Sequence, residues 1–378
     1  MNKKGLKSKV FVGMSGGVDS SLSATLLKKS GFNVTGVFIK VWQPNWIKCA
    51  WKEDRLDAMR VAAHLDIPFV TLDLEKEYKK NVVDYMINEY KSGRTPNPDV
   101  MCNKSVKFGA FYDWAMKNGA DFIATGHYAR ISKQSSDARK SDASGLACRL
   151  FKAVDPSKDQ SYFLYTLKQE QLQHILFPIG HLKKTEVRKL AKKSKLPTAD
   201  KKDSQGLCFI GKVDVKDFLS HYVEAKSGNI LNENGEIIGI HPGALFFTIG
   251  ERHGFTITRK TPDDLPYYIV DKDVERNTLT VSRKDLGNRL AHTEKVARID
   301  KVNWIEGVVP NQFGAVDSAF SLQAQSRYHQ TMQKIRISNL TISGMTIEFE
   351  QPQEVITPGQ SLVIYDGEVC LGGGIIED

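Results

Sequence analysis

Apolar and polar positions in the first third of the chain alternate between short strand-like runs and longer helix-like stretches. The runs typical of strands are 10–13, 34–39, 69–74 and 121–124, and the stretches typical of helices are 20–31, 55–65, 81–91 and 103–117. Because strands that alternate with helices form parallel sheets, this pattern predicts an α/β fold with a doubly wound parallel sheet. Ligands of such sheets bind at the carboxyl ends of the strands, where we expect segments 15–20 and 126–127.

The pattern changes after about residue 212. Before that point, two more helices are predicted at 168–176 and 184–195, and the polar stretch 132–145 predicts a surface loop or hairpin end. Beyond it, turns separate short β-branched runs at 278–281, 334–337, 340–342, 345–349 and 361–365. We therefore predict an α/β domain with a helical extension over 1–212, a small β-rich domain over 213–280 and a C-terminal β-barrel over 281–378.

Composition narrows the class of protein. The chain has 378 residues, of which 41% are hydrophobic and 26% are charged, and its formal net charge is +9. It contains no apolar run long enough to span a membrane, and the basic segment 1–7 is not followed by the apolar core of a signal peptide, so we expect a cytoplasmic protein without a membrane partner. Five scattered cysteines without a Cys-x-x-Cys pair make a disulfide framework or a structural zinc site unexpected.

Much of the positive charge lies in one predicted helix. The cations of this basic segment are Lys183, Lys184, Arg188, Lys189, Lys192, Lys193 and Lys195. They form either a solvated helix face or a face that lies along phosphate groups. The net charge favours a polyanionic partner, but the sequence leaves both interpretations open.

A glycine-rich turn, Ser15-Gly16-Gly17-Val18-Asp19-Ser20, follows the first predicted strand. Adjacent glycines let the backbone approach a pyrophosphate closely, and the N–H groups at the start of the next helix point at it. The turn lacks the lysine of a Walker A motif, which handles a transferring γ-phosphate. It therefore suits chemistry that splits ATP at the α-phosphate and releases pyrophosphate.

Cys102 is the first candidate nucleophile. It follows the segment 94–99, whose two prolines predict a stiff extended loop, and it lies near the start of a predicted helix. The helix dipole together with Lys104 and Lys107 would favour its thiolate, and Asp99 could take or hold a proton nearby. A buried, unreactive thiol is the alternative.

Cys208 is the second candidate. It lies between Gly206 and Gly211, and the preceding Lys201 and Lys202 could lower its pKa. Two separated thiols suit a relay, in which one thiol holds transferable sulfur and the other bonds to a substrate or resolves a disulfide.

Several spaced blocks of the chain carry a family resemblance. These blocks are 13–21, 93–99, 102–104, 124–128, 158–164, 176–178, 208–211 and 358–374. Together they resemble the bacterial tRNA-specific 2-thiouridylases, the MnmA family of the N-type ATP pyrophosphatases, whose parallel sheet is of the adenine nucleotide α hydrolase type. The resemblance extends over nearly the whole chain. It departs at 248–266, where Gly250-Glu251-Arg252 replaces the usual Gly-Gln-Arg and glycines are fewer, so no tRNA contact is assigned there.

The resemblance implies an enzyme, a tRNA-uridine 2-sulfurtransferase. ATP with Mg²⁺ adenylates O2 of the wobble uridine in a tRNA anticodon, and persulfide sulfur then displaces AMP to leave 2-thiouridine. By the match of motifs, Cys208 carries the persulfide, Cys102 completes sulfur release and Asp99 is the acid/base. A variant in which these three residues ligate an iron–sulfur cluster stays open but is not favoured.

The resemblance also implies partners and binding residues. The partners are tRNAs with wobble-uridine anticodons, namely the Lys, Glu and Gln acceptors, and a persulfide-donating relay protein or cysteine desulfurase. The ATP site would comprise Gly13, Met14, Ser15, Gly16, Gly17, Val18, Asp19, Ser20, Ile39 and Gly126, with Ile39 in place of the usual Met. The tRNA would be bound by Asn97, Pro98, Asp99, His127, Lys158, Asp159, Gln160, Arg327, Tyr328 and Gln360.

Two other classes of protein compete with this interpretation. A small-molecule ligase of the ATP pyrophosphatase type would need neither paired cysteines nor a basic face. A non-catalytic RNA-binding protein would have no use for a complete pyrophosphate loop. The loop and the two thiols together favour the sulfurtransferase.

Overall fold

The computed structural model of the chain describes residues 7–47, 51–135, 146–203, 206, 208–209, 211, 213–258, 265–283, 294–306, 322–341, 344–353 and 356–377. Five parallel strands form the first sheet: Lys9–Gly13, Asn33–Lys40, Phe69–Asp73, Phe122–Ala124 and Ile175–Leu176. Their order in space is third, second, first, fourth and fifth, which confirms the predicted doubly wound sheet. Because this order reverses beside the first strand, the loops after the first and fourth strands open next to each other.

Helices cover both faces of this sheet, which accounts for the unbroken apolar runs of its strands. On one side, Val10 and Phe38 pack in a cluster with the helices Val18–Lys29, Trp51–His64 and Lys184–Lys193. On the other side, Val37 packs in a second cluster with helical residues from 75–91 and 98–117.

The helices differ from the predicted ones mainly at their ends. The α-helices are Val18–Lys29, Trp51–His64, Glu75–Tyr78, Tyr85–Lys91, Pro98–Cys102, Phe111–Lys117, Gln169–Leu172, Lys184–Lys193 and Val215–Ser220, and short 3₁₀ turns span Ser161–Leu164 and Ala244–Phe246. Two π-helical segments, Lys79–Asp84 and Asn103–Ala110, join the helices on either side of them. The helix predicted from residue 103 therefore begins at Pro98, because the Asn97 side chain caps it by accepting from the Val100 N–H at 3.2 Å.

The helix predicted at 168–176 is wrong over its second half. Gln169–Leu172 is helical, but Ile175–Leu176 is the fifth parallel strand and pairs with Ile123 and Ala124. A short apolar run does not distinguish a buried strand from a helix end, and here pairing within the sheet decides the outcome.

The predicted hairpin end at 132–145 joins two antiparallel strands, Arg130–Ser135 and Leu146–Phe151. Residues 136–145 of that stretch lie outside the described residues. The second strand of the hairpin also pairs with Val369–Ile376, so the hairpin extends a sheet formed by the C-terminal part of the chain.

The middle of the chain forms a separate five-stranded sheet. Its strands are Gly228–Leu231, Ile237–His241, Thr256–Ile257, Tyr268–Asp273 and Thr278–Ser282. The last of them extends beyond residue 280, where we expected the small domain to end.

The C-terminal part is a closed antiparallel barrel. Its six strands are Glu294–Trp304, Leu322–Gln325, Gln333–Ser338, Gly344–Gln353, Ser361–Asp366 and Val369–Ile376, and the first pairs with both the fourth and the last. The strand predicted at 340–342 is wrong as far as Thr341, because Leu340 and Thr341 lie in a turn in which the Thr341 N–H donates to the Gly344 carbonyl; Ile342 lies outside the described residues. Within the described ranges, no helix combines the length and apolar character needed to cross a bilayer.

Candidate active site

The pyrophosphate loop follows the first strand as predicted. Gly16 has a φ of +75°, and a Cβ there would lie 2.3 Å from the Asp54 carbonyl oxygen, so only glycine fits. Ser20 donates to the Gly17 carbonyl at 3.2 Å and accepts from the Ser15 N–H at 3.2 Å. These bonds close a turn over the start of the helix Val18–Lys29. The first backbone N–H groups of a helix lack partners within it and can bind an anion.

Gly126 closes the other side of this cradle. A Cβ at Gly126 would lie only 2.7 Å from the Ser20 nitrogen, so the turn after the fourth strand meets the helix start directly. Met14, directly after the first strand, and Ile39, in the neighbouring strand Asn33–Lys40, are both buried and contribute no polar side-chain group. The structure thus brings together the loop after the first strand and the turn after the fourth strand, which are more than a hundred residues apart in the chain.

The Asp19 carboxylate is the charged centre of this region. Lys184 Nζ lies 2.8 Å from each Asp19 oxygen, and the Tyr128 hydroxyl donates to Oδ1 at 2.7 Å. Lys184 also lies 2.9 Å from Asp203, which pairs with Lys158 and Arg188 as well. Burial alone would raise the pKa of Asp203. The ion pairs with these cations outweigh that effect, so the pKa of Asp203 is lowered.

The two candidate thiols are in contact. Cys102 Sγ and Cys208 Sγ lie 3.3 Å apart, and both side chains are free thiols. Cys102 is fully buried, whereas Cys208 is half-buried. Asp99 Oδ1 accepts a hydrogen bond from the Cys208 N–H at 3.1 Å, so the three residues expected to act together form one cluster, the thiol site.

The two thiols have opposite acidities. Burial and the hydrogen bond to Cys208 raise the pKa of Cys102. The hydrogen bond from Cys102, together with the positive charge of Lys107, lowers the pKa of Cys208 against the opposing effect of burial. Burial also raises the pKa of Asp99, which favours a protonated carboxyl at this place. Cys208 is therefore the more acidic thiol, and Asp99 is suited to hold a proton.

Two electrostatic expectations for these thiols are wrong. The helix start does not make Cys102 acidic, because Cys102 lies a full turn inside the helix that begins at Pro98 and is buried. Lys201 does not face Cys208; its ammonium pairs at 2.7 Å with both Asp54 and Asp57. Lys107 supplies the positive charge instead, and the thiols and Asp99 keep its own pKa raised although burial alone would lower it.

The π-helical segment explains why Lys107 reaches the thiols. Lys107 follows Cys102 by five positions, which in an α-helix lie about 140° apart around the axis. In the π-helical segment Asn103–Ala110 the bonding pattern is i to i+5, which brings such positions to nearly the same side. Lys107 Nζ also lies 5.3 Å from the centre of the Phe209 ring, next to Cys208.

Cys208 is held by backbone contacts on a strained segment. Its carbonyl oxygen accepts from the Tyr78 hydroxyl at 2.6 Å, and the Phe209 carbonyl accepts from Gln43 at 3.2 Å. Phe209 has a φ of +67°, an uncommon value for a bulky residue. Such an outlier beside a reactive thiol indicates that surrounding contacts determine where Cys208 lies.

The C-terminal barrel holds the proline loop, 94–98. The Gln360 amide donates to the carbonyls of Thr95 and Pro96 at 2.9 and 3.2 Å, and the Thr95 N–H donates to the Pro358 carbonyl at 2.9 Å. The predicted tRNA contact Gln360 therefore positions Asn97 and Asp99 through the loop that carries them.

The other expected tRNA contacts differ in accessibility. The His127 ring is buried between Phe108 and Phe177, and this burial, with Lys107 nearby, lowers its pKa well below the usual range. Asp159 accepts from the N–H groups of Ala153 and Ser161. Both side chains thus make hydrogen bonds within the protein, His127 to Thr125 Oγ1 at 2.7 Å, and their contact with tRNA stays a prediction.

Four further residues in this group contact neighbouring segments of the protein. Gln160 Oε1 accepts from the Tyr128 N–H at 3.0 Å, and Lys158 pairs with Asp203. The Tyr328 ring packs against the Phe163 ring at a tilt of 50°, with the ring centres 4.4 Å apart, and Arg327 donates to Thr357 Oγ1 at 2.6 Å. In the departing segment, Glu251 accepts from the Thr248 N–H and pairs with Lys216, which is a structural use of its charge.

Three residues of the site were missed by sequence reasoning: Lys107, Lys184 and Tyr78. Lys107 was noted only as general positive charge, and Lys184 was counted among the cations of the basic segment. Tyr78 gave no signal, because a single tyrosine between a predicted strand and a predicted helix indicates no function. Of the basic segment, Lys184 and Arg188 face Asp19 and Asp203, while the long side chains of Lys192 and Lys193 are exposed.

Among the described residues, no group of three or more His, Cys, Asp or Glu side chains is arranged to hold a metal ion. Asp99 directs an oxygen to the Cys208 backbone, not to a point shared with both sulfurs. The iron–sulfur alternative thus has no ligand set in the described part of the chain.

Known protein families match the chain over most of its length. Three family models match in series: the tRNA methyl transferase HUP domain over residues 8–212, the tRNA methyl transferase PRC-barrel domain over 216–283 and the aminomethyltransferase beta-barrel domain over 294–376. The chain is 43% identical, over all of its length and 97% of the relative's, to the tRNA-specific 2-thiouridylase MnmA 2 of Geobacillus kaustophilus. The chain belongs to the MnmA family. This confirms the resemblance and the predicted enzyme class.

Further relatives fit the same family. The tRNA-specific 2-thiouridylase MnmA of Streptococcus mutans is 43% identical over 98% of this chain and 96% of its own length. Among solved structures, the U34-tRNA thiolase NcsA from Methanococcus maripaludis with its [4Fe-4S] cluster matches 58% of this chain and 67% of its own at 16% identity, with a TM-score of 0.36. The family assignment does not depend on that distant structure.

Proposed function

We propose that this MnmA family member catalyses the ATP-dependent 2-thiolation of the wobble uridine of tRNA anticodons. The observation that carries the proposal is the thiol site, in which two free thiols 3.3 Å apart lie beside a carboxyl group. Family membership supports tRNA uridine as the substrate, and the pyrophosphate loop supports ATP as the activating reagent. A ligase that uses an amine would have no need of the two thiols.

In the proposed first step, uridine O2 attacks the α-phosphorus of ATP. A bond forms between O2 and phosphorus, the bond from phosphorus to the bridging oxygen breaks, and pyrophosphate leaves with the electron pair. The backbone N–H groups of residues 16–20 would bind the phosphates. Gly126 lies against this turn so closely that any side chain at Gly126 would collide with the Ser20 backbone. Asp19 is the carboxylate that would hold Mg²⁺, an oxygen-seeking ion that neutralises phosphate charge when bound.

In the proposed second step, sulfur replaces the activated oxygen. The terminal sulfur of a Cys208 persulfide attacks C2, AMP leaves, and uridine is joined to Cys208 through a disulfide. The Cys102 thiolate then attacks Cys208 Sγ, which releases 2-thiouridine and leaves a Cys102–Cys208 disulfide that a thiol reductant must reopen. The sulfur–sulfur contact of 3.3 Å supports this order, since Cys102 can reach Cys208 without rearrangement.

Asp99 would move protons in both steps. Its raised pKa favours a carboxyl group that can give a proton to the departing phosphate oxygen, and its ionised form can take the proton from uridine N3. Asn97, Pro98 and Asp99 would present the loop to a base flipped out of the anticodon stack, which exposes O2 and C2. The barrel supports this role by fixing the loop through Gln360.

The remaining tRNA and partner assignments follow from the same proposal. Arg327 and Tyr328 combine a phosphate-binding cation with a stacking ring, and the exposed Lys189 and Lys193 offer a basic surface to the tRNA backbone. The half-buried Cys208 would receive its sulfur from a persulfide-donating relay protein or a cysteine desulfurase. We place the protein in the cytoplasm with the Lys, Glu and Gln tRNAs, and we assign 1–212 to the catalytic domain.

The test is mass spectrometry of tRNA after incubation with the protein, ATP and a persulfide donor. We expect the wobble uridine to gain the mass difference between one sulfur and one oxygen. Cys208→Ser should abolish this gain yet leave release of pyrophosphate intact, and Asp19→Ala should stop pyrophosphate release. No mass gain with the unaltered protein would refute the proposal, and loss of pyrophosphate release in Cys208→Ser would overturn the assignment of Cys208 as sulfur carrier.

A further inference from the structure

The glycine-rich loop has no lysine of its own, yet a lysine from elsewhere reaches it. Lys184 begins the helix Lys184–Lys193, far along the sequence from the loop. Its ammonium lies 2.8 Å from both oxygens of Asp19, in the first turn of the helix that the loop opens. The side chain is 14% exposed, so this cation is largely removed from water at the place where phosphates would bind.

The position of Lys184 is unfavourable for a purely structural cation. A positive charge in the first turn of a helix opposes the helix dipole, which favours carboxylates there. The Asp203 carboxylate already pairs with Lys158 and Arg188, and the Asp19 carboxylate already accepts from the Tyr128 hydroxyl. Neither acid depends on Lys184 alone, which indicates a use other than neutralising them.

We propose that Lys184 is the phosphate-binding cation of the nucleotide site. With ATP bound, its ammonium leaves one Asp19 oxygen and contacts the β- and γ-phosphate oxygens, while Asp203 keeps the side chain directed at the loop. This inference rests on the proposed function, because it gives that function's first step a catalytic residue outside the motif.

The chemical role follows from where charge develops. As O2 bonds to the α-phosphorus and the bond to the bridging oxygen breaks, the electron pair passes to pyrophosphate, which gains negative charge. Lys184 acts through its positive charge and stabilises the pyrophosphate by proximity, so its role transfers no proton. A lysine that stabilises the leaving group more than the intact nucleotide accelerates the step itself.

The first experiment measures binding of α,β-methylene-ATP to the full chain by calorimetry. We expect Lys184→Met to weaken binding by about 10-fold or more, since a charge-assisted contact to phosphate is lost. Lys184→Arg should retain most of the affinity, because it keeps the charge. The control is Lys192→Met on the same helix, whose ammonium pairs with the exposed Asp200 at 2.8 Å and which should bind the analogue as the unaltered protein does.

Asp203→Asn separates the two roles of Lys184. If Lys184 acts only as a partner of Asp203, Lys184→Met and Asp203→Asn will weaken binding of α,β-methylene-ATP equally. If Lys184 contacts phosphate, Lys184→Met will weaken binding more than Asp203→Asn, and it will also slow pyrophosphate release at saturating ATP. Equal effects of the two variants would overturn the proposal.

A second measurement needs no variant and so is independent of folding defects. Acetylation of the unaltered protein by an amine-reactive ester, read by mass spectrometry, should show Lys184 protected by α,β-methylene-ATP and Lys192 unchanged. Unchanged labelling of Lys184 at saturating analogue, or normal binding by Lys184→Met, would refute the role of Lys184 alone. Failure of the unaltered protein to bind the analogue would instead refute the proposed function.

Discussion

Replacing Lys107 with methionine should make the Cys208 thiol less acidic and therefore less reactive. Lys107 is the cation of the thiol site: it lies over the Phe209 ring, next to Cys208, and its positive charge lowers the pKa of Cys208. Methionine has a similar length and keeps apolar contact with the ring, so the main change is the loss of one positive charge. The thiolate of Cys208 then loses its nearest counter-charge.

The size of the effect follows from the charge–charge energy. Two unit charges about 4 Å apart interact by roughly 4 kcal/mol at an effective dielectric constant of about 20. Water that enters beside methionine will recover part of this, which leaves a loss of about 1.5–3 kcal/mol, or roughly 10- to 100-fold in thiolate fraction at neutral pH. Because the cation stabilises the charged form, its loss moves the pH profile of thiol reactivity toward higher pH.

The assay is the rate of Cys208 alkylation by iodoacetamide across a pH series, resolved from the other cysteines by peptide mass spectrometry. The matched control is Lys104→Met on the same continuous helix, an exposed lysine beside Lys168 and Lys301 and not in the thiol site. We expect Lys107→Met to be about 10-fold or more slower at neutral pH and Lys104→Met to be unchanged. Identical pH profiles for Lys107→Met and the unaltered protein would show that Lys107 does not set the acidity of Cys208.

Three further outcomes follow from the geometry. Mild oxidation with diamide should join Cys102 to Cys208, because their sulfurs lie 3.3 Å apart, and should leave the buried Cys148 and Cys370 reduced. Peptide mapping that finds Cys102 and Cys208 both still reduced would contradict this contact. Gly126→Ala should weaken binding of an ATP analogue by more than about 10-fold, because its Cβ would lie 2.7 Å from the Ser20 nitrogen. Gly119→Ala, with open space around its Cβ but a strained φ of +80°, should lower stability and leave nucleotide affinity unchanged; equal affinities of the two variants would refute the cradle. Gln360→Ala should raise the KM for tRNA several-fold without changing nucleotide affinity, since the substitution frees the proline loop from the barrel. A change confined to ATP binding would refute the role of Gln360 in positioning this loop.

Local sequence determined the elements that depend on local chemistry. The alternation of apolar runs and helical stretches predicted the parallel sheet, because strand and helix periods are properties of short segments. The pyrophosphate loop was recognisable since its glycines are required by backbone geometry within the loop itself, as the φ of +75° at Gly16 shows. The strand Ile175–Leu176 was mistaken for a helix, because two apolar residues carry no period and only sheet pairing identifies them.

The electrostatics of the site was decided by tertiary structure. Sequence proximity suggested that Lys201 would act on Cys208 and that the helix start would act on Cys102, but folding directs Lys201 to Asp54 and Asp57 and buries Cys102. A Coulomb interaction depends on distance in space and on burial, and neither is contained in the order of residues.

The sequence by itself thus determined which groups are available: a phosphate loop, two thiols, a carboxyl group and an excess of lysines. Only the tertiary structure decided which lysine serves which group. The π-helical segment turns Lys107 toward the thiols, and the helix packed on Val18–Lys29 carries Lys184 to Asp19. The physical reason is that each pairing joins side chains whose directions are set by helix geometry and by packing between distant segments, whereas sequence spacing sets only their order.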